Sequence, residues 1–207
     1  MSSLTNSRIT AAVERALDDR QREATEEVER ILAAAVRVME RVAPEPPRVS
    51  DIVAQAGSSN KAFYRYFAGK DDVILAVMER GVAIVVSYLQ HQMAKERTPA
   101  GKVRRWIEGA LAQLADPHLI SMSRAAAGQI SATANWRAAD DEIVRPMRDL
   151  LTEPIAALGS TDVLRDADAV FHCTAAAMRR HLDLADRPSP DDIDHLVRFC
   201  LRGLGAG

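Results

Sequence analysis

The sequence predicts an all-α protein of about nine helices. Apolar residues recur along the chain at the three- and four-residue spacing of a buried helix face. No stretch alternates between polar and apolar residues for long enough to predict a strand. Prolines and glycines separate the helical stretches, and 207 residues suffice for one large or two modest domains with a core that needs no covalent link.

The N-terminal region divides into two parts by its charge pattern. Residues 1–20 mix arginines with acidic side chains over a loose apolar spacing, so we expect a frayed or partly helical extension. From Gln21 to Val42 a sustained apolar stripe predicts the first firm helix. The prolines that follow, from Pro44 to Pro47, stop this helix because proline cannot continue the backbone hydrogen bonding.

The next stretch, from Arg48 to Val73, has the pattern of two short helices joined by a sharp turn. Gly57 is placed to end the first helix in a left-handed cap, and Phe63 and Phe67 lie four apart on one side of the second. This is the outline of a helix-turn-helix, whose second helix enters the DNA major groove. The predicted internal contacts of this motif are made by Ile52, Val53, Ala56, Phe63 and Phe67.

Charge also distinguishes this stretch from the rest of the chain. The 27 basic and 29 acidic side chains nearly cancel, so any attraction to phosphate must be local. Between Arg48 and Lys70 the four basic residues are opposed only by Asp51, which leaves a local charge of +3. Four of the nine aromatic residues of the chain also fall between Phe63 and Phe67. The pattern indicates a basic, aromatic surface suited to nucleic acid.

Helical spacing continues to the C-terminus. A long helix is expected from about Lys70 to Lys95, buried on more than one side because its middle, from Val82 to Val86, is apolar. Pro146 and Pro154 are expected to kink or break a later helix. The remaining helical stretches are predicted at 101–115, 118–134, 137–158, 163–185 and 190–204.

From Asp51 to Val73 the sequence resembles the DNA-binding motif of the tetracycline-repressor (TetR) family of bacterial transcriptional regulators. The resemblance implies a homodimer whose N-terminal helices bind a palindromic operator and whose larger helical domain binds a small effector that releases the DNA. We therefore expect an extension at 1–20, a DNA-binding domain at 21–80 and an effector-binding and dimerisation domain at 81–207. The matching residues are Asp51-Ile52, Ala56-Gly57, Ser59, Phe63-Tyr64, Tyr66-Phe67, Lys70-Asp71 and Val73.

The same resemblance implies roles for individual residues. Tyr64 and Lys70 match positions that commonly hold phosphates, and Tyr66 faces the DNA backbone. Ala62 lies among the exposed recognition positions, together with asparagine, lysine and arginine residues. Lysine and arginine can donate to guanine or phosphate, and asparagine can pair with adenine. The predicted DNA-binding residues are Arg48, Ser59, Asn60, Lys61, Tyr64, Arg65, Tyr66 and Lys70.

Three residues depart from the family pattern. Ser58 stands where an apolar turn residue is usual, Lys61 replaces a common glycine and Ala62 replaces a common threonine. These departures leave open an alternative function, in which the chain is a helical small-molecule-binding protein with a vestigial DNA-binding head.

The C-terminal part suggests an effector cavity and a dimer interface. The small residues Ala169, Cys173, Ala176 and Ala177 share one helix face and, together with the final helix at 190–204, favour a four-helix bundle between two subunits over simple core packing. We expect an apolar effector in a mostly apolar cavity, although each candidate contact is also a plausible core residue. The candidates are Trp106, Met122, Gln129, Trp136, His172 and Met178.

Nothing in the sequence favours catalysis. The five histidines have no metal-ligand spacing, and no nucleophile-elbow or phosphate-binding glycine motif occurs, so we predict neither an enzyme nor a metal or cofactor. A helical enzyme remains the second alternative. Cys173 and Cys200 are expected to be buried thiols in a reducing compartment, and no stretch approaches a membrane span. We therefore expect a cytoplasmic protein that does not contact membranes.

Overall fold

The computed structural model describes residues 2–42, 45–115, 136–184 and 186–206, and the regular elements within these ranges are all helical. The predicted all-α fold class is therefore confirmed. The chain divides into two compact units. The first consists of residues 1–42 and 46–76, and the second of residues 43–45 and 77–207.

The first unit is built from α1 (Ser2–Val42), α2 (Val49–Ala56), α3 (Asn60–Tyr66) and the first residues of α4 (Lys70–Met93). Helix α1 packs against α2, which in turn meets α3. Burial of apolar side chains holds this small core together, because each one is withdrawn from water. The fully or almost fully buried residues include Ile31, Val38, Ile52, Phe63, Phe67 and Val73.

Helix α1 differs from the prediction at its start. One continuous helix runs from Ser2 to Val42, whereas the charge pattern suggested a separate extension over residues 1–20. Its segment from Arg8 to Gln21 is almost entirely exposed, so packing does not explain its helical state. Alanine, arginine and glutamate are strong helix formers, and no glycine or proline occurs before Pro44.

Within its described residues, the second unit contains the remainder of α4, five further α-helices and one 3-10 helix. Trp106, Ile107 and Leu111 of α5 are buried at its centre, and Leu151, Val170 and Val197 bring α7, α8 and α9 into the same core. The predicted stretch at 118–134 lies outside the described residues. The elements are α5 (Pro99–Ala112), a 3-10 helix (Gln113–Ala115), α6 (Trp136–Asp149), α7 (Thr152–Ala157), α8 (Val163–Leu184) and α9 (Pro190–Gly203).

Two predictions about this unit require correction. The helical stretch predicted at 137–158, with a kink or break at Pro146 or Pro154, is two helices, and the break comes after Asp149. Pro154 lies in the first turn of α7, where a missing N–H costs little, while Pro146 is accommodated inside α6. The middle of α4 is not buried on more than one side, since Ala83 is exposed and Ile84 is 56% exposed. Its apolar run instead faces partly outward.

Side-chain caps fix the starts of two helices of the second unit, α5 and α9. The Thr98 hydroxyl accepts a hydrogen bond from the Gly101 N–H at 3.0 Å and begins α5. Ser189 and Asp192 form a reciprocal capping box at α9. The two hydrogen bonds from Ser189 lower the pKa of the Asp192 carboxyl group. Across the described ranges, no helix combines the length and the apolar character that crossing a membrane requires.

Candidate nucleic-acid interface

The turn between α2 and α3 is set by one glycine and one serine. Gly57 adopts φ 60° and ψ 33°, a left-handed conformation that ends α2, and its N–H bonds back to the carbonyl of Ala54. Ser59 then begins α3, because its hydroxyl accepts the N–H of Ala62 at 3.1 Å. Together these residues fix the direction in which α3 leaves the turn.

The rings of Phe63 and Phe67 determine which side of α3 faces outward. Both are buried, with ring centroids 5.5 Å apart. The opposite side exposes Asn60, Lys61 and Arg65, and Tyr64 is 59% exposed. Ala62 is buried at 7% exposure, which contradicts its prediction as an exposed recognition residue. The outward side of α3 is therefore polar, basic and aromatic.

Arg48 and Lys70 lie at the beginnings of the helices on either side of α3. Arg48 is exposed at the N-cap position of α2, and its side chain makes no capping hydrogen bond. Lys70 is the half-buried first residue of α4, just after Ala68, whose N–H donates to the Asp72 carboxylate at 2.7 Å. A lysine at a helix N-terminus adds its charge to the partial positive charge of the helix dipole.

Tyr66 and Arg65 are held by a carboxylate that sequence reasoning did not identify. The Tyr66 hydroxyl donates to Glu27 Oε2 at 2.9 Å, and Arg65 Nη1 lies 3.7 Å from the same oxygen. The Arg65 guanidinium also lies 5.7 Å from the centre of the Tyr66 ring. Ser58 in the turn donates to the other oxygen of Glu27 at 3.5 Å. Glu27 thus links α1 to both the turn and the end of α3.

Comparison with known proteins is decisive for this first unit. Residues 31–77 match the family described as bacterial regulatory proteins, tetR family. The first unit therefore carries the tetR-family DNA-binding region. The matched residues include the buried part of α1, the whole helix-turn-helix and the beginning of α4, so the DNA-binding helix-turn-helix predicted from the sequence is confirmed. No curated protein sequence matches the chain.

Solved structures share the fold over most of the chain. A TetR-family transcriptional regulator from Streptomyces coelicolor is 20% identical, with a TM-score of 0.68, over 93% of this chain and 96% of that one. The fatty acid degradation regulator FadR from Bacillus halodurans is 19% identical, with a TM-score of 0.66, over 86% and 98%. FadR from Bacillus subtilis, solved in complex with stearoyl-CoA, is 17% identical, with a TM-score of 0.69, over 85% and 96%. Identities this low establish the fold alone.

The second unit has an open groove between α4 and α6, with a volume of about 400 Å³. Carboxylates of Glu79 and Glu142 and the polar side chains of Ser87 and Gln90 lie at its margins. Its walls are apolar and consist of Val82, Ala83, Val86, Ile143 and Pro146. The apolar run in α4 was visible in the sequence, but it was interpreted there as buried.

Among the predicted effector contacts whose side chains the structure describes, which are Trp106, His172 and Met178, none lines this groove. Trp106 is 1% exposed in the core and donates from Nε1 to the Met147 carbonyl at 2.9 Å. Met178 is half-buried against the same core, whereas His172 is exposed on α8. Trp136 is the first residue of α6, and Met122 and Gln129 lie outside the described residues. Trp106 and Met178 therefore share the core of the second unit, while His172 lies on its surface.

The last two helices expose an apolar face. Ala169 and Ala176 of α8 are exposed, and Cys173 and Ala177 beside them are half-buried. On α9, Phe199 is 60% exposed. Exposed aromatic side chains are enriched at protein interfaces, and small residues on a neighbouring helix allow another helix to approach closely.

Proposed function

We propose that this tetR-family regulator is a homodimeric repressor that binds a palindromic operator through residues 48–70 and is released by a small molecule. The observation that carries this proposal is the outward side of α3, which presents Asn60, Lys61 and Tyr64 beyond a helix whose other side is buried. A helix presented in this way fits the major groove.

The proposed DNA contacts divide into backbone and base contacts. Arg48 and Lys70 bring positive charge to the two ends of the motif, where phosphates flank the groove, and Tyr64 projects a phenol hydroxyl that can donate to a phosphate. Asn60 and Lys61, in the first turn of α3, are placed to reach base edges. Ser59 acts through its cap, which sets the start of α3.

The groove between α4 and α6 supports binding of an apolar effector. Its volume lies within the range of small-molecule sites, and its walls are aliphatic with a few polar groups at the margins. The FadR structure with stearoyl-CoA indicates that a protein with this fold accommodates a ligand bearing a long acyl chain. We infer an apolar ligand of this general class for the present protein, held against Val82, Val86 and Ile143.

Helix α4 offers a physical route from effector to DNA. The helix begins at Lys70, a proposed phosphate contact, and continues without interruption to the groove residues Glu79, Val82 and Val86. An effector that prefers one position of this helix would shift the position of Lys70. A coupling of about 1–3 kcal/mol between the two sites would weaken DNA binding by roughly 5- to 150-fold.

Dimerisation is supported by the apolar face of α8 and α9. Two copies related by a two-fold axis would bury this face in a four-helix bundle, with Ala169 and Ala176 allowing close approach. A two-fold dimer carries two α3 helices, as an operator with half-sites in successive major grooves about 34–36 Å apart requires.

The deciding experiment compares Lys70→Ala and Tyr64→Ala with the wild type on an operator selected from genomic fragments. We expect both variants to bind more weakly to all DNA. The salt slope, which is the slope of log affinity against log salt concentration, should fall in magnitude by about one in Lys70→Ala, since one phosphate contact is lost. Tyr64→Ala should leave the slope unchanged because the phenol is neutral. Fluorescence anisotropy at several salt concentrations measures both quantities.

A matched control is Lys95→Ala, which removes a positive charge from an exposed residue just after α4. Its affinity and salt slope should equal those of the wild type. If Lys70→Ala and Tyr64→Ala also bind like the wild type, the proposed interface is wrong. A wild-type protein that binds an apolar ligand but no duplex would favour the alternative of a binding protein with a vestigial head.

A further inference from the structure

The carboxylate of Glu27 contacts the recognition helix in a way that the proposed DNA contacts do not explain. Its side chain is 22% exposed and projects from α1 toward the end of α3. It accepts hydrogen bonds from the hydroxyl groups of Tyr66 and Ser58, and it forms an ion pair with the Arg65 guanidinium. One acidic residue therefore engages three groups of the basic segment between Arg48 and Lys70.

These contacts compete with DNA. A phosphate is an acceptor, and the Tyr66 hydroxyl has one proton to donate, so it cannot bond to phosphate while it donates to Glu27. Arg65 is 59% exposed, but part of its charge is balanced by a carboxylate at 3.7 Å. The stacking of its guanidinium over the Tyr66 ring, at 5.7 Å, also restricts its direction.

We propose that Glu27 is a positioning residue that restrains Arg65 and Tyr66 and thereby lowers the affinity of the protein for DNA of arbitrary sequence. The inference rests on the proposed function, since it concerns how the same surface discriminates among duplexes. Phosphates are present in every sequence, so a guanidinium released from Glu27 gains a contact anywhere on DNA. A guanidinium held by Glu27 contributes less to this sequence-independent attraction.

The central variant is Glu27→Gln, in which the amide oxygen still accepts the Tyr66 hydroxyl while the negative charge is removed. We expect its affinity for a random-sequence duplex to rise about two- to fivefold, the range of exposed ion pairs. The magnitude of its salt slope should rise by about 0.9, since one further cation reaches phosphate. Thermal unfolding should be nearly unchanged, which separates this effect from a loss of structure.

Three variants isolate the restraint from other effects. Glu26→Gln removes an equal charge from an exposed neighbour on α1, and its salt slope should remain that of the wild type. Tyr66→Phe removes the hydroxyl but keeps the Glu27 charge, so its slope should also be unchanged. In an Arg65→Gln background, Glu27→Gln should no longer alter the slope, because the restrained cation is absent.

The outcomes distinguish this inference from the proposed function. If the wild type binds no duplex at low salt, the proposed function fails. If the wild type binds but Glu27→Gln has the same slope and affinity, or Glu26→Gln changes them equally, only the restraint is wrong. If Glu27→Gln does not fold, the Arg65→Gln variant alone tests the restraint. The proposal requires that Arg65→Gln lose less than twofold in affinity for random-sequence DNA, and a larger loss of affinity overturns it.

Discussion

Trp106 in the second unit is a buried residue whose polar atom is satisfied by a hydrogen bond. Trp106 was a candidate effector contact because an indole can face a ligand. In the structure its ring is in the core and its N–H donates to the Met147 carbonyl, so no polar atom of the ring remains for a ligand. The indole thus links α5 to α6 and stabilises the wall behind the groove.

Cys200 illustrates burial of a titratable group. Removal from water, reinforced by the neighbouring Cys173, raises the pKa of the Cys200 thiol from 9.0 to about 11. The folded protein therefore keeps this proton at pH values where the unfolded chain has released it. The contribution of the neutral thiol to stability is fully present below about pH 9 and is lost as the pH rises toward about 11.

This linkage predicts a specific pH dependence. The free energy of unfolding of the wild type should fall between pH 9 and 11 more steeply than that of Cys200→Ala, whose added cavity has a cost independent of pH. Urea unfolding at neutral and alkaline pH measures both proteins, and tyrosine and lysine titrations cancel in the comparison. If the free energies of unfolding of the two proteins differed by a constant amount across this pH range, the raised pKa of Cys200 would be contradicted.

At the scale of elements, the end of α2 depends on one backbone conformation. Gly57 is in the left-handed region, and a Cβ added there would have no neighbour within 4 Å. Gly57→Ala should therefore destabilise the protein through backbone strain alone, by about 1 kcal/mol after the loss of unfolded-state entropy is included. Urea unfolding followed by circular dichroism measures this change.

Gly69 provides the control for that substitution. It precedes α4, its φ is not in the left-handed region, and its added Cβ would also have open space. Gly69→Ala should alter stability by less than about 0.5 kcal/mol. Equal losses in the two variants would show that the left-handed conformation is not the cause.

Local patterns predicted the helix-turn-helix well because its determinants are close in sequence. Gly57, Ser59, Phe63 and Phe67 specify a cap, a turn and a buried side within a few residues. The match to the tetR family confirms that motif. The individual DNA contacts stay predictions, since they depend on groups that only a complex would bring together.

Features that depend on distant residues were missed. Glu27 is separated from Tyr66 by 39 positions, and its charge looked like ordinary solvated surface in a helix rich in glutamate. The groove was missed because Val82 and Val86, which line it, have the apolar side chains that a sequence pattern assigns to a core. Periodicity reports which residues share a face, but not whether another helix covers that face.

For the whole molecule, the apolar face of α8 and α9 raises the question of how many copies act together. Phe199 leaves more than half of its surface exposed in the isolated chain. Ala169 and Ala176 are exposed on the adjoining helix, where a larger residue would keep a second helix at a distance. A palindromic operator requires two α3 helices related by a two-fold axis, which this face can supply.

The dimer is tested most directly by Phe199→Glu. A two-fold interface contains each substitution twice, so the loss of the buried ring, about 1.5–3 kcal/mol per copy, is doubled. The dissociation constant of the dimer should rise roughly a hundredfold or more, and sedimentation at micromolar concentration should show a monomer in place of a dimer.

The control is Ile84→Glu, which places the same charge on an exposed apolar residue of α4 and should remain dimeric. A wild-type monomer would rule out the proposed dimer, and a dimeric Phe199→Glu would place the interface elsewhere. Because a monomer presents only one α3, a monomeric Phe199→Glu should also lose most of its operator affinity while its affinity for random-sequence DNA changes much less.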